Sequence, residues 1–285
     1  MKLPSDRTTR AGIVRANVVR SRDGKVEGVE DALAVEEPLQ VRVFDEPWTT
    51  TLRTPGSDNE LIAGLLLAEG VIQSELDLLR IAPCERLDPE RTGNVVEVQL
   101  APSAARHELE ASRRRTLVSA ACGVCGRASI DELLERLGPL VDAPSFDAAW
   151  LAGLPAVLAA AQRNFAHTGG LHAAAIVEPE RGTLVVREDV GRHNAVDKAI
   201  GRLLLDRALP AKSAALVVSG RAGFEIVQKA LAARISALVS VSAPSSLAVG
   251  TAARSGLLLL GFARDSSFNV YAGVERLRGL DVRGI

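Results

Sequence analysis

From about residue 130 onward, apolar residues come in short continuous runs separated by longer amphipathic stretches, the pattern of parallel strands buried on both faces and alternating with helices. The runs are Ala173–Val177, Leu184–Val186, Ala215–Val218, Ala237–Val241 and Leu257–Leu260, with helices predicted over Ala195–Arg207, Phe224–Ile235 and Ser246–Arg254. The first hundred residues read differently. Ile13–Val19 and Leu39–Phe44 partly alternate, Trp48–Leu52 is rich in β-formers, and Val95–Leu100 alternates again. Between them Glu60–Glu69 is periodic at helical spacing, with Asp58 as the expected N-cap and Gly70 as the stop. Residues 101 to 115 are polar.

Two textures imply two parts: a smaller α+β part over residues 1–118, and an α/β part over 129–285 built on a sheet with at least some parallel strands. Residues 119–128 join them. In such sheets ligands bind beyond the carboxyl ends of the strands. Val217-Val218 is followed by Ser219-Gly220-Arg221-Ala222-Gly223, Val241 by Ser242-Ala243-Pro244-Ser245-Ser246, and Leu260 by Gly261-Phe262-Ala263-Arg264-Asp265-Ser266. Small residues let a ligand approach the backbone, a following helix offers N–H groups to an anion, and Arg221 and Arg264 add donor forks suited to phosphate. One such turn needs no explanation beyond turn-making and helix capping. Three in succession point to a nucleotide-sized ligand.

Two histidines stand at comparable places. His172 precedes a strand in Thr168-Gly169-Gly170-Leu171-His172, and His193 lies at a strand-to-helix transition in Glu188-Asp189-Val190-Gly191-Arg192-His193-Asn194-Ala195-Val196-Asp197-Lys198. Either cluster can form a polar site wall. Each also has a purely architectural reading, His172 as a satisfied interior histidine and the second cluster as a helix start capped by Asn194 with Asp197 in its first turn.

The joining segment carries the sharpest chemistry. Cys122-Gly123-Val124-Cys125-Gly126 holds two of the three cysteines, downstream of Arg113-Arg114-Arg115. Positive charge and C-x-x-C spacing both favour thiolate. The pair supplies only two ligands of a four-ligand zinc site, and the remaining cysteine, Cys84, is far off in sequence. A thioredoxin-like motif would open a helix after the first strand of a βαβ unit, which this one does not. Sulfur chemistry and metal binding both remain open on the motif alone.

Composition sets outer limits. The chain has 285 residues, 47% hydrophobic but only 3% aromatic, and so can build a sizeable aliphatic core. A formal net charge of −1 gives no global field for duplex nucleic acid. The polar N-terminus lacks an apolar leader, and Leu257–Gly261 is too short to cross a bilayer. Three cysteines fit a reducing compartment better than a disulfide scaffold. A soluble cytoplasmic protein with no membrane or nucleic-acid partner is expected.

In order and separation, CGVCG, TGGLHAAA, EDVGRHNAVDKAIG, SGRAGFEIVQKA and GFARDSSFNVY closely resemble the FdhD family of sulfur carrier proteins required for formate dehydrogenase activity. The resemblance implies a C-terminal cytidine-deaminase-like fold with a mixed sheet, a homodimer, and binding of the molybdenum cofactor as its bis(molybdopterin guanine dinucleotide). It also implies sulfurtransferase chemistry, in which a cysteine desulfurase charges the C-x-x-C segment with persulfide sulfur destined for the metal centre of formate dehydrogenase. Under it Cys122 matches the persulfide carrier and Cys125 its partner or releasing thiol. The cofactor would be held by Phe262, Ala263, Arg264, Asp265, Ser266 and Ser267, together with Ser219, Gly220, Arg221, His172 and His193. Asp265 departs from the glycine usual in the family after the arginine. No resident metal is implied. A zinc deaminase would need H-x-E ahead of P-C-x-x-C. Here Ala173-Ala174 follow His172, the C-x-x-C comes first, and no proline precedes Cys122. A cofactor chaperone that carries no sulfur would use the same turns and is the alternative.

Overall fold

The computed structural model describes residues 12–84, 92–102, 104 and 127–280, without the side chains of 92, 127–130 and 133. Cys122 and Cys125 lie outside the described residues. The chain forms a mixed α/β structure with several sheets.

The N-terminal elements are mostly strands. β1 (Ile13–Arg22) and β2 (Lys25–Ala34) form a long two-stranded hairpin. Asp23 and Gly24 both take positive φ at its tip, as a two-residue turn matching the strand twist requires. The second strand is a correction to the sequence reading, which stopped at Val19. β2 is solvated along most of its length and has no fully buried residue, so it shows no hydrophobic alternation. β3 (Glu37–Val43), β4 (Glu46–Arg53), β5 (Leu78–Pro83) and β6 (Val95–Leu100) make a four-stranded sheet in the order β4-β3-β6-β5. β5 too went unpredicted; it is an edge strand whose Leu79 is exposed.

α1 (Asp58–Ala68) covers one face of this sheet and is then shared with the second half of the chain. Its cap differs from expectation. Ser57, with φ 57°, is the N-cap, and Asp58 is the first helical residue. The Asp58 carboxylate accepts from Arg53 Nε and an Nη, each at 3.1 Å. Arg53, only 1% exposed, also reaches Asn94 Oδ1 at 3.0 Å, so one buried guanidinium ties β4 to α1 and to the turn before β6.

The second half is organised by a six-stranded mixed sheet in the order β13-β12-β11-β10-β8-β9. These are β8 (His172–Glu178), β9 (Gly182–Asp189), β10 (Ala215–Val218), β11 (Ala237–Ser240), β12 (Leu258–Arg264) and β13 (Ser267–Ala272). β10, β11 and β12 are parallel, while β8 runs antiparallel to both β9 and β10. A minor parallel pair joins β7 (Phe146–Asp147) to β14 (Leu277–Arg278). α2 (Arg127–Leu137) precedes this half.

Helices cover both faces of the large sheet. On one side lies α3 (Ala148–Ala161), whose Leu151, Leu154 and Leu158 meet Ala173, Ala175, Val177, Val217, Val239 and Leu260. On the other side α5 (Arg192–Leu205) and α6 (Phe224–Ala232) meet the intervening residues Ala174, Ile176, Leu216, Val218 and Leu238. A short α4 (Phe165–Thr168) and α7 (Ser246–Ser255) complete the set. The α3 segment was not read as a helix because Gly153 and Pro155 interrupt an almost wholly apolar stretch. Asp147 caps it, accepting from Trp150 N at 2.9 Å.

The second face also receives the N-terminal part. Leu39, Val41 and Val98 of the small sheet, Ile62 and Leu66 of α1, and Ile200 and Leu203 of α5 belong to one continuous apolar cluster. At the α1–α5 crossing the two backbones touch. A methyl group on Gly64 would fall on the Asp197 carbonyl, and one on Gly201 on the Glu60 carbonyl. Gly64→Ala or Gly201→Ala should therefore force the helices apart at a cost of about 3 kcal/mol. Thermal unfolding should show a Tm several degrees lower, whereas alanine at Gly153, where the space is open, should leave Tm within a degree or so.

Candidate functional site

The conspicuous segment from Glu188 to Lys198 divides its residues between two tasks. Asp189, Asn194, Asp197 and Lys198 are buried and architectural. Asp189, with no exposed surface, accepts from Thr54 N at 3.1 Å, Gly191 N at 2.8 Å and Asn194 Nδ2 at 3.1 Å, and pairs with Lys198 Nζ at 2.7 Å. Lys198 Nζ also donates to the Thr54 carbonyl at 2.7 Å, and Asn194 Nδ2 to the Leu52 carbonyl at 2.7 Å. The end of β4 is thus held to the start of α5 by charge-assisted bonds in a dry setting. Asn194 does not cap the helix. Gly191 is the N-cap and supplies no side-chain bond.

Asp197, also expected at the helix start, lies inside and pairs with Lys229 of α6 at 2.7 and 2.9 Å. Burial pushes the Asp197 carboxyl up to about 6 against the pull of Lys229. Burial works against the Lys229 charge too, but the Asp197 carboxylate outweighs it and raises that group, so the pair is ionised at neutral pH.

Arg192 and His193 point the other way. His193 Nε2 lies 3.4 Å from Glu225 Oε2, joining the first turns of α5 and α6. Burial, then the positive fields of Lys229 and Arg192, lowers His193 to about 3. The Glu225 contact is too long and too hydrated to reverse this. His172, at the start of β8, is lowered by burial and by Arg192. It also adjoins Gly220, where a Cβ would come 3.2 Å from His172 Nδ1 and 3.4 Å from Arg192 Cβ and Cδ. His172, His193, Gly220 and Arg192 therefore meet, on the α5–α6 face of the sheet end.

Four of the remaining candidates, Ser219, Ala263, Arg264 and Asp265, gather on the opposite face. A cleft of about 450 Å³ is lined by Ser219, Val241, Ala263, Arg264 and Asp265, and walled by Leu158 and its neighbours on α3 together with Phe165 and Leu171. Ser219 Oγ accepts from Ala173 N at 2.9 Å, and the Gly220 carbonyl accepts from the buried Ser240 Oγ at 2.8 Å, so the first strand-end turn is firmly held. The second turn is bound to it: Ala222 N donates to the Ala243 carbonyl at 3.2 Å and Ser245 N to the Ala222 carbonyl at 3.0 Å. Ser245 caps α7 by accepting from Ala248 N at 3.2 Å.

The third turn is not of the expected kind. β12 continues through Phe262 and Ala263 to Arg264, then reverses into β13 with no helix after it. Asp265 and Ser266 are its two turn residues, with φ 50° and 58°. That left-handed region is the preserve of glycine and, next, of Asn and Asp. Here aspartate occupies a glycine-like position with its carboxylate exposed at the cleft rim. Phe262 is 41% exposed, Ser266 and Ser267 are exposed, and Ser267 Oγ donates to the Arg264 carbonyl at 2.8 Å. Arg221 is exposed and lies outside the cleft lining.

Sequence reasoning missed the α3 wall, for lack of the helix, and passed over Arg192. The available signal was its position: an arginine at the first residue of a helix, where the macrodipole disfavours a cation. Among the described residues no group of three or more His, Cys, Asp or Glu side chains is arranged to hold a metal ion. No described helix is long and apolar enough to cross a membrane.

Comparison with known proteins follows the same lines. The profile of the FdhD/NarQ family matches residues 34–278. The chain is 47% identical over 268 residues to the Sulfur carrier protein FdhD of Streptomyces coelicolor, covering 92% of this chain and 95% of that one. It is 49% identical over 278 residues to the protein of that name from Anaeromyxobacter dehalogenans, covering 94% of each. The crystal structure of a protein assigned as a formate dehydrogenase accessory protein from Desulfotalea psychrophila superposes with a TM-score of 0.75 at 25% identity, over 94% of this chain and all of the other.

The neutral histidines give the site a pH signature. Below pH ~6.5 an unfolded histidine takes up a proton that folded His193 refuses until about pH 3, so stability is full above the ordinary histidine range and falls as pH drops. Asp197, raised, gives the opposite slope between its ordinary range and about 6. Urea unfolding from pH 7.5 down to 5 should accordingly show a smaller loss of stability in His193→Gln than in wild type. Equal slopes would mean that His193 is not held neutral.

Proposed function

The chain belongs to the FdhD/NarQ family, and from that membership we propose that it is a sulfur carrier serving formate dehydrogenase. The observation that carries this reading is the near full-length match to proteins named as sulfur carriers, in a chain whose Cys122-Gly123-Val124-Cys125 supplies two thiols with two residues between them. The formate dehydrogenase connection is supported by the accessory protein from Desulfotalea psychrophila.

A cysteine desulfurase is the proposed donor. The thiolate of Cys122 or Cys125 attacks the outer sulfur of the donor persulfide; the S–S bond breaks, the donor leaves as thiolate, and a cysteine persulfide forms on this chain. Attack of the second thiolate on the inner sulfur then closes a Cys122–Cys125 disulfide and releases the outer sulfur as hydrosulfide, the two electrons coming from the two thiols. The acceptor is the molybdenum cofactor in its bis(molybdopterin guanine dinucleotide) form, bound as cargo and bearing the sulfur as a terminal sulfido ligand when it reaches formate dehydrogenase. A mass-neutral chaperone that only binds this cargo is the competing reading.

The described residues are compatible with cargo of this kind. The cleft has apolar walls suited to a flat base, and Arg264 at its rim is suited to phosphate. A cytidine-deaminase-like character for the second half is supported by the order β9-β8-β10-β11-β12 with β8 antiparallel, and by helices on both faces. We divide the chain functionally into an N-terminal part to 118, a cysteine segment 119–128 and a cargo-binding part from 129. Homodimerisation and a cytoplasmic setting belong to the same reading.

Intact-mass spectrometry after incubation with a cysteine desulfurase and cysteine should show a reductant-sensitive gain of about 32 Da, one sulfur. The gain should vanish in whichever of Cys122→Ala and Cys125→Ala removes the carrier thiol. No adduct in a protein that still binds GDP would favour the chaperone. Arg264→Ala should weaken GDP binding about tenfold by calorimetry without lowering Tm, and unchanged affinity would remove Arg264 from the cargo site.

A further inference from the structure

We propose that Ser240, a residue with no exposed surface, is the positioning residue that sets the two flanks of the cleft against each other. The inference rests on the cargo reading and deepens it, by naming what keeps the cleft in shape for a guanine nucleotide.

Ser240 is the one polar residue of β11, whose four residues are all buried. A hydroxyl in such a place costs stability unless it finds partners. Its Oγ reaches two carbonyls on separate turns, that of Gly220 after β10 at 2.8 Å and that of Ser242 after β11 at 3.0 Å. The other buried serines among the described residues show the contrast. Ser255 Oγ serves the Thr251 and Ala252 carbonyls of its own helix, at 2.8 and 3.2 Å, and Ser236 Oγ has no partner.

Both carbonyls belong to segments that reach the cleft. Gly220 follows Ser219, which lines one flank. The Ser242 carbonyl also accepts from Phe262 N at 3.1 Å, and Phe262 leads into Ala263, Arg264 and Asp265 on the other flank. β11 lies between β10 and β12, and Val241 lines the cleft between the two flanks. Ser240 shares strand parity with Leu238, on the α5–α6 side of the sheet. It therefore stands behind the cleft and touches nothing in it.

The hydroxyl has one hydrogen to share between the two carbonyls, which couples the turns that carry them. Without it, two carbonyl oxygens would converge on a site with no donor and move apart, drawing Ser219 and Phe262 with them. Phe262 takes φ 51°, a strained conformation for a bulky residue that persists only where its surroundings impose it. The β12–β13 ladder is irregular from Gly261 to Arg264 and does not impose it. The bond to Ser242 does, and Ser240 holds Ser242.

Calorimetric titration of the full chain with GDP, together with hydrogen–deuterium exchange, tests this. Ser255→Ala is the control, because it removes a similar two-carbonyl contact at the last residue of α7, outside the cleft lining. Both substitutions should lower Tm by a few degrees. Ser240→Ala alone should weaken GDP binding, about tenfold, as lost preorganisation does. In that variant the segment 258–266 should exchange faster than in wild type, while 195–205 keeps its wild-type rate. Should Ser240→Ala not fold, Ser240→Cys, which keeps a similar volume with a poorer donor, should weaken GDP binding by a smaller factor.

Wild-type GDP affinity in the folded Ser240 variant would overturn the proposal and leave the cargo reading standing. An equal loss in Ser255→Ala would overturn it too, by tying affinity to stability alone. So would a loss without faster exchange of 258–266, since the flank would not have moved. If wild type itself does not bind GDP, the guanine-nucleotide reading fails. Faster exchange of 258–266 in the Ser240 variant would then still uphold Ser240 as the residue that positions it, and an unchanged rate would overturn both.

Discussion

The direct backbone contact of α1 with α5 is the constraint on which the rest of the molecule depends. Gly64 and Gly201 remove the side chains that would otherwise separate the helices, and this closeness lets one apolar cluster run from the small sheet to the large one. It also sets the depth at which Asp189 and Lys198 meet Thr54. A buried ion pair is weak evidence of stability by itself, because desolvation offsets much of the attraction. What Asp189 and Lys198 contribute is register: with the Thr54 amide and carbonyl both bound, the end of β4 has one position against the start of α5.

The same short segment makes the site. In Asp189-Val190-Gly191-Arg192-His193-Asn194, the first and last residues face inward to the clamp, while Arg192 and His193 face the turn after β10. Architecture and chemistry are interleaved at single-residue spacing, and orientation, which composition cannot supply, decides which residue does which. Around the sheet end this produces two adjoining surfaces: an apolar cleft against α3, and a polar one at the starts of α5 and α6 where Arg192, His193 and Glu225 lie.

Much of this was legible in the chain. The apolar runs that became β8, β10, β11 and β12 announced themselves because buried strands with helices on both faces have no polar side. The turns after β10 and β11 were readable from Ser, Gly and Pro, and the family motifs supplied the candidate residues as a set. What was not legible has definite causes. The β1–β2 hairpin is mostly solvated, so only the start of its first strand showed a pattern, and for the second strand the Asp23-Gly24 turn was the local signal. α3 carries a proline and a glycine in an apolar stretch. The turn at Asp265-Ser266 has neither glycine nor asparagine, so the strand was ended at Leu260 although β12 runs on to Arg264 and turns back into β13. Most of all, the separation of the candidate residues onto two faces follows from strand parity at β8 and β10, where Leu171 and Ser219 fall on one side and His172 and Gly220 on the other.

The clamp at Thr54 has a mechanical consequence. Separating β4 from α5 would take the Thr54 amide from Asp189 and the Thr54 carbonyl from Lys198, two charged groups each at most 2% exposed, so this seam is a poor hinge. A protein built in this way does not close by moving β4 against α5. It offers a fixed anvil at the sheet end, and whatever delivers or collects there has to bring its own motion.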